Sequence, residues 1–140
     1  MVGGQGAKFY REGMSQQNAS AIVKKVWSAA RQAGYGSYFP KSDGGMITDD
    51  HIPVNEKAKI PTIDVIAYYP DCQQSSFGPT WHTVSDDMAH LDKNTMKAVG
   101  QTMIQVLYTT FLNGEAIAVK HLIIYGQESA CFEVSFRVII

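Results

Sequence analysis

The run Ile60-Pro61-Thr62-Ile63-Asp64-Val65-Ile66-Ala67-Tyr68 constrains the fold more than any other stretch of the chain. It is short, rich in β-branched residues and almost continuously apolar. That is the pattern of a strand covered on both faces within a mostly parallel sheet. Pro61 falls at the start of the run, where a missing N–H costs a ladder least. A sheet covered on both faces needs helices, and the flanking sequence supplies two. Over residues 18–33, Ala19, Ile22, Val23, Val26, Trp27, Ala30 and Ala33 recur at helical spacing. Ser15 or Asn18 is placed to cap that helix, and Gly34 suits the left-handed position just past its end. A second helix is expected over residues 93–108, with Asp92 as N-cap and Met96, Val99, Met103, Val106 and Leu107 as its buried stripe. Helix, loop, strand, loop, helix is an α/β layout.

The intervening segments are loops. Residues 1–17 are rich in glycine and polar side chains, and Gly34, Gly36, Pro40, Gly44 and Gly45 punctuate residues 34–50, with a short strand expected over 46–48. A second long loop covers residues 70–92. With 45% hydrophobic and 18% charged residues in a chain of 140, a core can form. The net charge of -1, with no clustered basic face, excludes a nucleic-acid footprint. No apolar run approaches the roughly 18 residues of a membrane span. The first residues lack the basic and apolar stretches of a secretion signal. Cys72 and Cys131 have no CxxC spacing and read as two ordinary thiols.

Two polar clusters interrupt this scaffold. Thr48-Asp49-Asp50-His51-Ile52-Pro53 precedes the expected strand, and Trp81-His82-Thr83 with Asp86 and Asp87 follows it. Open α/β sheets bind ligands beyond the carboxyl ends of their strands, which makes His82 a cleft residue. An imidazole with carboxylates suits zinc, although a lone histidine beside a tryptophan is more often a packed, hydrogen-bonded loop residue than a ligand. Asp86 and Asp87 fit caps or turns. Asp49 and Asp50 are adjacent carboxylates that repel unless a cation or a shared proton relieves them. His90 and His121 lack acidic neighbours at ligand spacing and read as structural or exposed. Phe77 and Trp81 are candidates to line a pocket.

These clusters also carry a resemblance. Asp49-Asp50-His51-Ile52-Pro53-Val54-Asn55, the 60–66 run, Phe77-Gly78-Pro79-Thr80-Trp81-His82-Thr83 and Leu91-Asp92-Lys93-Asn94-Thr95 resemble, in order, the zinc-dependent glutaminyl cyclases of the animal type and their bacterial counterparts. The wider zinc aminopeptidase family shares the pattern. The resemblance spans residues 1–108 and implies the C-terminal half of a three-layer α/β/α zinc-aminopeptidase-like domain. It implies that His82 is a zinc ligand and that Trp81, with Phe77, lines the substrate pocket. Asp49 would belong to the acidic hydrogen-bonding chain behind the catalytic glutamate. In the cyclase reading, favoured by the tryptophan before His-Thr, zinc polarises the side-chain amide of a peptide's N-terminal glutamine, and pyroglutamate forms. In the aminopeptidase reading, a metal-bound water attacks the first peptide bond.

The resemblance places the other zinc ligands and the catalytic glutamate before Met1. One histidine does not make a catalytic zinc site, so the expectation is a chain that binds zinc weakly or not at all and is inactive alone. A missing N-terminal half is then the natural partner, and a non-catalytic docking fragment is the alternative. Full-length bacterial members are expected to be exported to the periplasm or cell envelope. Residues 109–140 depart from the family. There Phe132, Val134, Phe136, Val138 and Ile140 alternate with Glu133, Ser135 and Arg137, a strand signal, and residues 116–119 and 121–125 are further candidates. This unmatched, β-rich tail reads either as an added edge hairpin or as a frameshifted or fused stretch, the second favoured by the abrupt end of the resemblance.

Overall fold

The computed structural model describes residues 2–112, 124–126 and 132–134. Helix α1 spans Gly13–Gln32, α2 His51–Glu56 and α3 Lys93–Leu112, with a 3-10 turn at Met88–His90. Strands β1 (Ile124–Gly126) and β2 (Phe132–Val134) pair antiparallel, Tyr125 opposite Glu133. The rest of the expected β-rich tail, with Cys131 and His121, lies outside the described residues.

Helix α1 begins earlier than its apolar spacing suggests. Glu12, rather than Ser15 or Asn18, is the N-cap: its carboxylate accepts from the amides of Met14 (2.7 Å) and Ser15 (2.5 Å). The backbone leaves helical geometry at Ala19 (φ -145°, ψ 45°), so the periodic segment that starts near Asn18 is the second part of a kinked helix. At the far end Gly34 has φ +85°, the conformation its position past the helix requires.

Helix α3 packs on α1 and is held at its start by Asp92, whose carboxylate accepts from the Asn94 amide at 2.8 Å and from the Thr95 hydroxyl at 3.0 Å. Its buried face is more polar than expected. Thr95, Thr102 and Thr110 are buried beside Ala98, Val99, Met103 and Val106, whereas Met96 is exposed and Leu107 only half-buried. Thr102 and Thr110 donate to the carbonyls of Ala98 and Val106 one turn back, both at 2.7 Å, which satisfies each hydroxyl without a partner from another element.

The core gathers Val23, Val26 and Ala30 from α1, Val99 and Val106 from α3, and Ile63, Val65 and Ala67 from the extended segment between the two loops. Phe39 seals one side, its ring 5.0 Å from Phe9 and 5.5 Å, edge-on, from Trp27. The Trp27 indole N–H finds the Pro40 carbonyl at 3.0 Å, as a buried indole must.

The 60–68 segment corrects the expectation of a ladder strand. Ile63, Val65 and Ala67 are buried in alternation, as in a strand, but among the described residues the segment forms no continuous strand: it has isolated bridge positions at Thr62 and Tyr68, the latter paired with Lys8. A ladder needs neighbours, and here side chains take part of that role. Asn55 donates to Thr62 O (2.8 Å) and accepts from Thr62 N (3.0 Å), and the Asp64 amide donates to the Ser15 hydroxyl (2.9 Å). The expected strand over residues 46–48 is likewise not formed, and the Ile47 amide is drawn instead to Glu12 at 2.9 Å.

Candidate functional site

The structure keeps the two polar clusters as separate groups with different physics. The first is built at the start of α1. Glu12 and His51 are each only 2% exposed, and Glu12 Oε2 lies 3.3 Å from His51 Nε2. That distance makes an ion pair, although neither imaginable hydrogen-bond direction is used well: both ring nitrogens of His51 are buried without an aligned partner, as is Asp64 Oδ2. Burial alone would raise the Glu12 pKa. His51, Ser15 and the amides of Ile47 and Met14 reverse that and hold it at about 2. Burial likewise disfavours charge on His51, but the facing Glu12 carboxylate, with Asp64 and Asp49, raises its pKa above the ordinary value. Asp64 is pushed up to about 6, by burial first and by the negative charge of Asp49 second.

Of the adjacent carboxylates that the sequence left in need of a cation, Asp49 is among the negative charges that favour the protonated form of His51. Asp49 itself is exposed at the turn leading into α2, where its Oδ1 accepts from the Asp50 amide at 2.6 Å. Asp50 occupies the N-cap position of α2 without a side-chain cap bond. Sequence reasoning missed Glu12 and Asp64. The spacing Glu12-Gly13-Met14-Ser15 was a usable signal, a carboxylate three residues before a hydroxyl at a helix start. Nothing local marked the contacts to residues 47, 51 and 64.

The second group is the 77–82 loop. Phe77 and Trp81 meet at 5.0 Å between ring centroids, and the His82 imidazole stacks on the Trp81 indole at 3.8 Å, tilted by 15°. Both aromatic rings are half-buried, His82 is exposed, and its φ of +57° is a left-handed conformation unusual outside glycine. Such strain is found where a loop is shaped for something other than stability. The turn depends on Gly78: its φ is +107°, and a Cβ there would come within 2.8 Å of the Tyr69 ring. Phe77, Trp81, Tyr69, Asp86 and His90, with Gly3, Ala67 and Leu91, line a small cavity of about 60 Å³. His82 and Asp49 are not among its lining residues. His90, read from sequence as structural or exposed, is exposed and pairs with Asp87 at 2.9 Å, which holds the Asp87 carboxyl below its ordinary value.

Zinc in catalytic sites takes about three protein donors. Among the described residues no group of three or more His, Cys, Asp or Glu is arranged to hold a metal ion. His82 is a single exposed imidazole, so the described residues do not by themselves make up a zinc site. No helix among them is long and apolar enough to cross a membrane.

The chain matches known proteins along most of its described residues. Residues 1–107 match the profile of peptidase family M28, and the chain belongs to that family. Among solved structures it is similar to the Bacteroides thetaiotaomicron glutaminyl cyclase bound to N-acetylhistamine, with 52% identity and a TM-score of 0.73 over 77% of this chain and 36% of that one. It is also similar to a leucine aminopeptidase precursor of the same organism, with 51% identity and a TM-score of 0.70 over 77% of this chain and 35% of the other. A Zn-dependent exopeptidase from Parabacteroides distasonis shares 48% identity, with a TM-score of 0.73 over 77% of this chain and 37% of the relative. The chain therefore spans little more than a third of the length of these relatives. No curated protein sequence matches it.

Proposed function

We propose that this chain is the C-terminal half of a three-layer α/β/α glutaminyl cyclase domain, supplying one wall of the substrate pocket and one metal-binding imidazole, and that it is inactive without the other half. The observation that carries the reading is the Phe77-Trp81-His82 stack, which puts an aromatic wall and an exposed imidazole on one strained turn. The relative of 52% identity that is named a glutaminyl cyclase supports it.

In the reaction, the α-amine of an N-terminal glutamine attacks the side-chain amide carbon. The C–N bond of that amide breaks, the amine proton passes to the departing nitrogen, and ammonia and a five-membered lactam result. Trp81 and Phe77 would hold the glutamine side chain and keep water from it, and His82 would be one of the zinc donors. Zinc, when bound by the complete domain, supplies polarisation of the amide carbonyl. Asp49 would steady the acidic groups through which the proton moves.

The aminopeptidase reading is kept because two similar structures are named an aminopeptidase precursor and a Zn-dependent exopeptidase. One assay separates the possibilities. The chain is mixed with zinc and the N-terminal part of the Bacteroides thetaiotaomicron cyclase, and glutamine-initiated peptides are followed for ammonia and for free amino acids. Ammonia with pyroglutamyl peptide, abolished by Trp81→Ala or His82→Ala, is the expected result. Free N-terminal amino acid instead assigns a peptidase. Neither product, with no association of the two pieces, leaves a non-catalytic chain.

A further inference from the structure

A second concavity lies beside the aromatic loop. It is an open groove of about 550 Å³, walled by Tyr10, Tyr68 and Tyr69 and by Pro70 and Pro79. That volume is usual for a ligand pocket, whereas the cavity of about 60 Å³ beside Trp81 takes one small group. The two concavities share a wall. Tyr69 lines both, and the 77–81 turn gives Phe77, Thr80 and Trp81 to the cavity and Pro79 to the groove. Tyr69 is held in place on several sides: its hydroxyl donates to the Gln5 carbonyl at 3.1 Å, its amide donates to the Ser76 carbonyl at 2.8 Å, and its ring lies against Gly78.

The remaining side chains of the groove are packed at the base and uncommitted at the tip. Tyr10 and Tyr68 meet edge to face at 5.6 Å between ring centroids, and both are half-buried. Among the described residues, neither of their hydroxyls makes a hydrogen bond, nor does the Lys8 ammonium or the Gln5 side-chain amide. Rings anchored below with polar ends unspent are the make-up of a recognition surface. One cation, Lys8, and one anion, Asp71, line the groove, so it does not select by net charge.

We propose that the groove is a peptide subsite, which takes in extended form the residues that follow the N-terminal residue held at Trp81. The tyrosine rings receive an aromatic or aliphatic side chain at the second or third position, and the free donors of Gln5, Lys8 and the tyrosines meet the peptide carbonyls. Continuity favours a peptide as the occupant. A chain whose first residue enters the small cavity has its remainder outside, and the groove adjoins that cavity at Tyr69. The placement rests on the reading of Trp81 as a substrate-pocket wall. It is the same for a cyclase and an aminopeptidase, since both reactions occur at a peptide's N-terminus.

The test is a site-resolved NMR titration of the 140-residue chain with glutaminamide, Gln-Leu-Phe-Gly amide and acetyl-Leu-Phe-Gly amide. Glutaminamide is expected to move the Trp81 indole signal alone. The tetrapeptide moves it together with Lys8, Tyr10 and Tyr68 and binds about tenfold tighter, the gain of an added aromatic contact. The acetylated tripeptide moves the groove signals alone. In Tyr10→Ala the tetrapeptide loses its advantage over glutaminamide, whose own affinity is unchanged. Where that variant does not fold, Lys8→Ala, at an exposed side chain, weakens both peptides and not glutaminamide. A tetrapeptide no tighter than glutaminamide, or groove signals unmoved by either peptide, overturns the proposal, while the Trp81 signal reports separately on the cyclase reading. A Trp81 indole silent to glutaminamide beside a groove that answers the tripeptide removes that reading and keeps the peptide subsite. Groove signals that answer maltotriose at lower concentration than the tripeptide assign the tyrosines to a sugar and overturn it.

Discussion

The start of α1 and the 77–82 loop are both polar and both flank the same buried extended segment, yet they are built on opposite plans. At Glu12 a charge is sunk out of water and surrounded by three amides and an imidazole. At His82 a similar imidazole stays in water, on a left-handed residue, with an indole face as its contact. The first arrangement is expensive to disturb because every group in it depends on another. The second is cheap to disturb because water can replace what is lost. A buried network sets geometry, and an exposed, strained loop is left free to meet a ligand.

Stability measurements test that contrast, beginning where the effect is largest. Glu12→Ala strands a buried imidazole and three amides, and is expected to cost about 3–5 kcal/mol in urea unfolding at neutral pH. A cost under about 1 kcal/mol, the size of a simple cap loss, would erase the difference between the two regions.

The pH dependence of stability sharpens it, because the buried Glu12 and the half-buried Asp64 act with opposite sign. Glu12 has a folded pKa of about 2, below its ordinary value of 4.5, so its contribution is present above pH 4.5 and is lost as pH falls toward 2. Asp64 is raised from 3.8 to about 6, so its contribution is present below pH 3.8 and is lost as pH rises through 6. Asp64→Asn should therefore remove the decline between those values and raise stability at pH 7 by on the order of 3 kcal/mol, an upper figure for a group that can relax toward water. Unfolding curves of parent and variant across that range that stay parallel would refute the assignment.

Within the loop the effects are smaller. Gly78→Ala forces a side chain into a positive-φ turn against the Tyr69 ring, and is expected to cost about 1–3 kcal/mol. Trp81→Ala loses the contacts with Phe77 and His82, and should cost about 1 kcal/mol. Smallest of all, His82→Gly should leave stability within about 0.5 kcal/mol of the parent, since relief of the left-handed strain offsets the greater freedom of an unfolded glycine. A loss as large as that of Glu12→Ala would show that His82 is a structural residue.

Much of this was legible in the chain itself, and the legible parts share a cause. The helical spacing from Ala19 to Ala33, the Gly34 terminus, the Asp92 cap and the ordered motifs from Asp49 to Thr83 are decided by residues a few positions apart, so local geometry and side-chain type suffice. The same holds for Phe77, Trp81 and His82, which lie within one turn of loop and stack on one another. What the sequence concealed was long-range. Glu12 reaches Ile47 and His51, and Ser15 reaches Asp64. The threonines of α3 face inward because their hydroxyls are satisfied a turn back and α1 covers them, although their type suggests a solvated face. The 60–68 segment has the residues of a strand, but ladder bonds belong to a pair of segments, and among the described residues its neighbours offer mostly side chains. Periodicity and turn chemistry are properties of adjacent residues and survive in one dimension. Whether a carboxylate is buried, what neutralises it and where its proton sits depend on groups dozens of positions away, and only the folded chain decides them.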